Sequence, residues 1–508
     1  MMQKVKGFVN RHEAVIISAI SAFLILLFTT RSSFLYICNN WDDANSYFSM
    51  GKGMMNGLVI YRDLYDQKGP YLYLLYGIAY LISHKSFFGV FIIEVLCATI
   101  FLYFAFKTIK ARSNSGLAVV IIPLLAAGVY SSWSFYKGGA AEEFCLPLLA
   151  YGVYMLDGML QERIDGPKLK RAIAIAGICA GIIAQVKYTI LGFYFSWFIV
   201  VMLLCYKKSG IKDAIRMALR FVIFAILPSI PWFIYFLVTG SLDDWYRCYI
   251  YNNLFFYSDV SDAGYSLSNR LYELCKVLLF LIEDSFSYFI FIIAGMFLQL
   301  FAEKGIFKRL IMPIMFGITF FVIFFAGNKL AYYSIPLTAF AMWGAAYIGS
   351  FLAKLFRKRI DDKKNNLLQT IVVPMLFCVI MFASTVFAAD NCVSKDYRHM
   401  DKDSFWLIKA ASYLSEDDTL VNVGGLDAGL YTLTGIVPSC EYFQTNGIGL
   451  PIMFEEQSRY LKEGATDYVL AVTEDLEGLG TCYEMVADFY CDEPIYEDHY
   501  YLYKRKQQ

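Results

Sequence analysis

Apolar runs of roughly 17 to 25 residues, each long enough to cross a hydrocarbon core of about 30 Å, recur along the first 390 positions and are absent after them. Eleven such runs stand out, at 14–36, 87–106, 117–135, 144–160, 172–187, 188–206, 217–239, 276–301, 310–326, 332–352 and 367–389. Lys4, Lys6 and Arg11 precede the first, as in a signal peptide, but no small-residue cleavage site follows it, so it reads as an uncleaved anchor. A shorter stretch, Tyr71–Ser83 (YLYLLYGIAYLIS), suits a helix lying in the membrane interface. After Asp390 the pattern changes. TLVNVGG (419–425) and DYVLAV (467–472) predict buried strands, with helices around Asp403–Leu414 and Phe454–Glu463. The expected fold class is an all-α polytopic membrane domain over 1–389, with an outer segment 37–86 carrying the interfacial helix 71–83, followed by a small α/β domain over 390–508.

Charge along the chain orients these spans, because cytoplasmic loops collect Lys and Arg. Lys107, Lys110 and Arg112 form the first basic group, Arg163, Lys168, Lys170 and Arg171 the second, and Lys207, Lys208, Lys212 and Arg216 the third. Lys304, Lys308 and Arg309, then Lys354, Arg357, Lys358 and Arg359, complete the set. All five groups fall inside if the N-terminus is inside and 71–83 does not cross, which places 390–508 outside. Composition agrees with a multi-pass membrane protein, whose expected location is the plasma membrane: 58% of residues are hydrophobic and 17% charged, with 44 Phe and 39 Tyr, more apolar surface than a soluble core absorbs. A formal net charge of zero gives no basic stripe for a nucleic acid. Twelve cysteines without a CxxC pair and four scattered histidines argue against a zinc or haem centre. Cys440, Cys482 and Cys491 lie in the tail, where a disulfide is permitted but not required.

Candidate chemistry gathers in the outer segments. NWDDANSYFSMGKGMMNG puts Asp42 and Asp43 just beyond the first span, and YRDLYDQKGP packs Arg62, Asp63, Asp66 and Lys68 between apolar stretches, ending in a Gly69–Pro70 turn. Solvation alone does not need that density of both signs. SFYKGGAAEEFCLPLL sets Glu142 and Glu143 at the mouth of a later span, where acids also complement a helix dipole. Lys187 divides one long apolar stretch and Lys329 sits in AGNKLAYYSIPL; each is expected at an outer turn, facing anionic groups or snorkelling to the interface. The aromatic stretch 245–257 (WYRCYIYNNLFFY) suits either the border of a sugar pocket or an interfacial belt.

These residues together resemble the polyprenyl-phosphate-sugar-dependent glycosyltransferases of the GT-C class, the group holding protein O-mannosyltransferases (glycosyltransferase family 39-like) and the lipid A aminoarabinose transferase. An acid followed by a tyrosine after the first span appears as Asp43 with Tyr47, and the run into the interfacial helix as Tyr61, Arg62, Asp63, Lys68, Gly69 and Pro70. The second acidic motif appears as Glu142–Glu143 before Phe144 and Pro147, and a late Gly-x-Lys-x-x-x-Tyr turn as Gly327, Lys329 and Tyr333. One departure stands out: Ala44 follows the Asp42–Asp43 pair where that class often has glutamate, which leaves open which aspartate is the base.

The resemblance implies an inverting transfer of sugar from a polyprenyl-phosphate donor to a hydroxyl of a cell-envelope glycan, lipid or protein. Asp43, supported by Asp42, would take the proton, and Lys68, Lys187, Lys329 and Arg270 would meet the phosphate. Tyr47, Arg62, Asp63 and Tyr333 would support the site. No definite cofactor is implied, and a divalent cation stays open. Partners would be the donor, the acceptor and membrane lipid, with no nucleic acid. Competing readings are a secondary transporter or flippase, with buried charges lining a pathway, a polymerase or ligase using a lipid-diphosphate oligosaccharide, and a noncatalytic scaffold.

The expected orientation is tested by cysteine accessibility on intact cells. An impermeant thiol reagent should label Cys440, Cys482 or Cys491, after reduction if necessary, and should spare a cysteine introduced by Ser209→Cys. The reverse pattern would invert the topology.

Overall fold

A computed structural model describes residues 2–256, 267–325, 330–357, 372–402, 405–474, 479–493 and 496–507. Helices dominate, and among the described residues eight are long and apolar enough to cross a membrane: His12–Thr29, Phe88–Arg112, Ala141–Leu160, Tyr188–Ser209, Ile211–Val238, Ile306–Phe324, Ala331–Phe356 and Val373–Asn391. The chain is a multi-pass membrane protein.

Four of the eleven expected spans turn out differently. The run at 117–135 is the helix Ser115–Tyr130, only 16 residues long. That at 172–187 belongs to Gly166–Ala184, which starts earlier and so takes Lys168, Lys170 and Arg171 into its first turns. The run at 276–301 is two helices, Ser268–Asp284 and Phe286–Ala302, meeting at 110°. Glu283 and Asp284 explain the break, since a straight span would carry two carboxylates into hydrocarbon. Ser285 stands at the corner, its hydroxyl 2.7 Å from that of Ser134 and accepting the Ser134 N–H at 3.1 Å. The first span also stops at Thr29 rather than 36.

The chain divides into two compact units. The first comprises Met1–Thr30, Ile93–Pro231 and Gly264–Lys395 and holds most of the long helices. In it Phe286–Ala302 packs against Thr338–Arg357, where Gly295 meets Gly344 backbone to backbone. Small residues allow such approaches where packing must replace the hydrophobic drive between helices. At one end of the same unit a buried ion network ties four segments. Asp157 accepts from Arg112 Nε at 2.5 Å, Trp343 Nε1 at 3.2 Å, Gln161 Nε2 at 2.6 Å and Arg163 Nη2 at 3.1 Å, while Arg112 Nη1 also reaches Glu303 at 3.1 Å.

The second unit gathers Arg31–Ile92, Trp232–Ala263 and Asp396–Gln508. The segment 37–86, expected to carry one helix, contains a further one, Asp42–Met55, packed on Pro70–Ile82. Gly69 and Pro70 start the latter as expected, Pro70 occupying the first helical position where a missing N–H costs nothing. In the tail, β1 (Leu420–Val423) and β2 (Tyr468–Ala471) pair in parallel, and the helix Pro451–Glu463 lies between them in sequence. The expected helix near 403–414 is shorter, Trp406–Ala411. Two strands escape the hydropathy pattern: β3 (Tyr483–Glu493) and β4 (Tyr496–Arg505) form an antiparallel hairpin, giving the order β1-β2-β4-β3. Their irregular mixture of Tyr, Met and Val with acids gives neither a buried run nor a clean alternation. Trp406 covers it, stacked on Tyr500 at 4.4 Å. Cys440 and Cys482 carry no disulfide.

Gly344 is expected to tolerate no side chain, because an added Cβ would collide with the Phe291 carbonyl. Gly344→Ala should lower the melting temperature in detergent through overpacking, a cost of about 1–3 kcal/mol. Gly344→Leu should yield little folded protein. Gly317→Ala, with open space at its Cβ, should match the parent.

Candidate functional site

Each unit carries its own cluster of the residues singled out above. In the second unit, Trp41 sits in extended backbone and the helix Asp42–Met55 starts after it, so Asp42 and Asp43 occupy the first turn, where unpaired N–H groups and the helix dipole favour negative charge. Asp42 Oδ1 accepts the Asp43 N–H at 2.9 Å; Asp42 is exposed and Asp43 half-buried. One turn on, Tyr47 is buried edge-on to Tyr76, and Lys68 Nζ lies 5.9 Å from the Tyr47 ring centroid.

Lys68 is held from both sides by buried tyrosines. Its N–H donates to Tyr73 Oη at 2.8 Å, and its carbonyl accepts from Tyr61 Oη. Tyr73 in turn donates to Asp66 at 2.9 Å, and Asp66 also accepts the Gln67 N–H at 2.7 Å and Asn446 Nδ2 at 2.9 Å. Burial raises the Asp66 carboxyl above the ordinary carboxylate range; Lys68 and the hydrogen bonds oppose that rise, while Asp43 adds to it. Asp43, Tyr47, Asp66 and Lys68 thus form one electrostatic group.

Arg62 and Asp63 do something else. Their side chains pair at 2.7 Å, Asp63 accepts the Val59 N–H at 2.7 Å, and Arg62 donates to the Thr239 carbonyl at 3.1 Å. The Arg62 hydrogen bond holds the Asp63 carboxyl below its usual range. The pair closes the turn in which Tyr61 takes φ 71°.

The rest of the Asp42–Met55 helix is bound to the tail of the same unit by a row of polar contacts. Ser46 donates to Gln444 at 2.7 Å and Ser49 to Asp427 at 2.7 Å, and Lys52 donates to the carbonyls of Tyr431 and Ile436. Lys52 has no exposed surface, and burial pushes its ammonium down to about 8 against the attraction of Asp427 and Glu416. Of the aromatic stretch, Tyr249 is buried, and Asn252 and Asn253 donate to Tyr65 Oη and the Gln67 carbonyl. Tyr246, Tyr251 and Phe255 are exposed, and residue 257 lies outside the described residues.

In the first unit, Glu142 and Glu143 open the helix Ala141–Leu160, and both are buried. Glu142 accepts from Lys187 Nζ, which also sits 3.5 Å from the Tyr333 centroid and 5.7 Å from that of Tyr332. Glu143 turns the other way, accepting the Gly139 N–H at 3.0 Å beside the Glu94 carboxyl. Glu94 accepts from Thr30 Oγ1 at 2.9 Å and lies against Gly138, whose φ of 82° and lack of a Cβ make room for it. Arg270 stands apart from this group, its guanidinium 5.4 Å from the Phe325 ring centroid. Lys329 lies outside the described residues.

Sequence reasoning missed Glu94, Tyr332, Asp427 and Asn446 as site neighbours. Glu94 carried a signal: it is a lone acid within FGVFIIEVLCATIF, and an intramembrane carboxylate seldom lacks a partner. Asp427 and Asn446 carried none, because their partners are 378 and 380 residues away. Among the described residues no three His, Cys, Asp or Glu side chains converge as metal ligands.

No family model and no curated protein sequence matches the chain. Solved structures do. ArnT from Cupriavidus metallidurans bound to undecaprenyl phosphate is similar over 97% of this chain and 98% of its own, with a TM-score of 0.64 at 12% identity. The same protein in the apo state matches with a TM-score of 0.62. The archaeal oligosaccharyltransferase AglB from Archaeoglobus fulgidus, in complex with an inhibitory peptide and a dolichol-phosphate, matches over 91% of this chain and 70% of its own, with a TM-score of 0.52 at 13% identity. The chain therefore has the fold of these membrane proteins.

The buried lysine makes a separate prediction about stability. Lys52 keeps its proton to about pH 10.5 when unfolded and to about pH 8 when folded. Between those values the unfolded chain binds more protons, so this group makes stability rise with pH. Lys52→Met removes that rise and leaves the Ile436 carbonyl without the lysine donor, at about 1–3 kcal/mol, while the Tyr431 carbonyl keeps the Gly435 N–H at 3.2 Å. Melting curves at pH 7.5 and 9.5 should show the gap between parent and Lys52→Met widening at the higher pH. An unchanged gap would mean that the lysine stays protonated.

Proposed function

We propose that this protein is a glycosyltransferase of the plasma membrane that moves a sugar from a polyprenyl-phosphate donor to a hydroxyl of a cell-envelope glycan, lipid or protein on the outer face, inverting the anomeric carbon. The observation that carries the reading is Asp43 on a helix first turn in one electrostatic group with Lys68, Tyr47 and Asp66, in a fold shared along nearly its whole length with a protein crystallised with undecaprenyl phosphate. AglB, an oligosaccharyltransferase bound to dolichol-phosphate, extends the likeness to a second lipid-phosphate binder.

In this reading Asp43 accepts the proton of the acceptor hydroxyl as its oxygen attacks the anomeric carbon. The bond from that carbon to the phosphate oxygen breaks, and polyprenyl phosphate leaves with the electron pair. Asp42 supports Asp43 by fixing its backbone. Lys68 supplies positive charge where the leaving phosphate becomes more negative, and a cation already oriented costs no reorganisation at that moment. Lys187, Lys329 and Arg270 are the other cations proposed for the donor phosphate. Glu142 and Tyr333 orient Lys187, and Tyr47 carries Lys68 on its ring face. Arg62 and Asp63 act by shaping the turn before Lys68.

Two substitutions separate base from phosphate ligand. Asp43→Asn, folded at parental level, should lose at least about a hundredfold in turnover while keeping donor affinity. Lys68→Met should weaken donor binding as well as slow transfer, because the same charge meets ground state and transition state. Asp43→Asn retaining more than about a tenth of parental turnover would sink the base assignment. Met substitutions at Lys187, Lys329 and Arg270, assayed for donor binding in the same way, rank the remaining cations.

A further inference from the structure

A second charged site lies in the first unit and shares no residue with the candidate site. A cavity of about 860 Å³ opens among the connections 159–170, 204–217 and 304–308. Six basic side chains line it, Lys170, Lys207, Lys208, Arg216, Lys304 and Lys308, against two acids, Glu162 and Asp213. The acids do not cancel the bases. Arg216 pairs with Asp213 at 2.8 Å, and Lys208 approaches Asp165 at 3.9 Å. Lys207 rests on the Phe307 ring at 4.1 Å, and Lys308 donates to the Leu160 carbonyl at 3.3 Å. Among the described residues no carboxylate pairs with Lys170, Lys207, Lys304 or Lys308 within 4 Å.

Solvated lysines at a cytoplasmic face need no ligand, and the charge bias of membrane loops supplies them freely. Two features exceed that explanation. The cations come from three separate connections and surround one concavity whose remaining wall is apolar, with Leu160, Leu169, Leu204, Met217 and Phe307. The concavity is also built rigidly. Arg163 is anchored on Asp157, Gln299 Nε2 donates to the Lys308 carbonyl at 2.9 Å, and Arg309 Nε donates to the Glu303 carbonyl at 3.0 Å.

Position identifies the occupant. The lining includes residues at the ends of the spans Ala141–Leu160, Tyr188–Ser209, Ile211–Val238 and Ile306–Phe324, the level at which hydrocarbon gives way to headgroups. Ile211 and Ile215 beside it are more than half exposed, as lipid-facing residues are. A cationic rim over an apolar floor at that depth matches a glycerophospholipid, its phosphate among the lysines and its first methylenes against the leucines. We infer that this cavity binds the headgroup of an anionic phospholipid. The inference requires only that these spans cross a bilayer and is independent of the reaction proposed above.

The test uses the full-length protein, delipidated in dodecyl maltoside and examined by native mass spectrometry. The parent should retain added phosphatidylglycerol and not phosphatidylcholine, and inorganic phosphate equimolar with the lipid should not displace it. Lys170→Gln/Lys207→Gln/Lys304→Gln, three exposed positions, should bind phosphatidylglycerol at least about tenfold more weakly. The corresponding triple arginine variant should restore binding. Equal phosphatidylglycerol retention by the glutamine variant and the parent would overturn the site, as would equal retention of phosphatidylcholine by the parent. Displacement by equimolar phosphate would make it a site for a soluble anion and overturn the lipid assignment.

Discussion

Taking a carboxylate or a cation out of water costs several kcal/mol per ion unless partners replace the water, and most of the polar architecture of this protein answers that cost. Arg112 shows the solution most fully. Its guanidinium is shared by Asp157 and Glu303, lies 4.1 Å from the Tyr347 ring centroid, and through Asp157 is tied to Trp343, Gln161 and Arg163. Four segments are fixed by one buried charge group. The break at Ser285 fits the same constraint, since among the described residues Glu283 and Asp284 have no comparable set of partners and the helix turns where they occur.

The constraint also separates neighbours that sequence makes look alike. Glu142 and Glu143 are adjacent on one helix, yet the first faces a lysine carried on two tyrosine rings while the second faces a glycine N–H and another acid. A 100° rotation between successive helical residues is enough to put them in different electrostatic environments. In the second unit the helix Asp42–Met55 divides its labour by length. Its first turn leaves Asp42 and Asp43 partly open, and its last turn buries Lys52 against two carbonyls of the tail. A helix held that firmly at one end presents its other end in a fixed direction, which is what the base proposed at Asp43 requires.

The tail therefore acts as structural support for the segment between the first span and the Pro70–Ile82 helix. Asn446 reaches Asp66, the Tyr65 N–H donates to the Glu441 carbonyl at 2.8 Å, and Gln444 and Asp427 take the serines of the Asp42–Met55 helix. The residues between Asp43 and Lys68 owe their placement to side chains nearly four hundred positions away.

Sequence by itself determined the class of this protein, because membrane-spanning helices and parallel strands announce themselves through local hydropathy. The long apolar runs, the Gly69–Pro70 start of the Pro70–Ile82 helix, and the buried strands at 420–423 and 468–471 were all legible. So was the concentration of acids and lysines at 42–68 and 142–187. Tertiary structure alone decided which of those charges meet. It placed Lys187 on Glu142 and Tyr333, spent Arg62 and Asp63 on a turn, buried Lys52, added Glu94 to Glu143, and drew three basic connections around one cavity. It also decided the bend at Ser285 and the β3–β4 hairpin, whose mixed tyrosine and acid pattern has no single period. The physical reason is range: hydropathy reports what a segment prefers as its solvent, over a few turns of chain, whereas the pairing of a buried charge depends on groups brought together from 45 to 380 residues away.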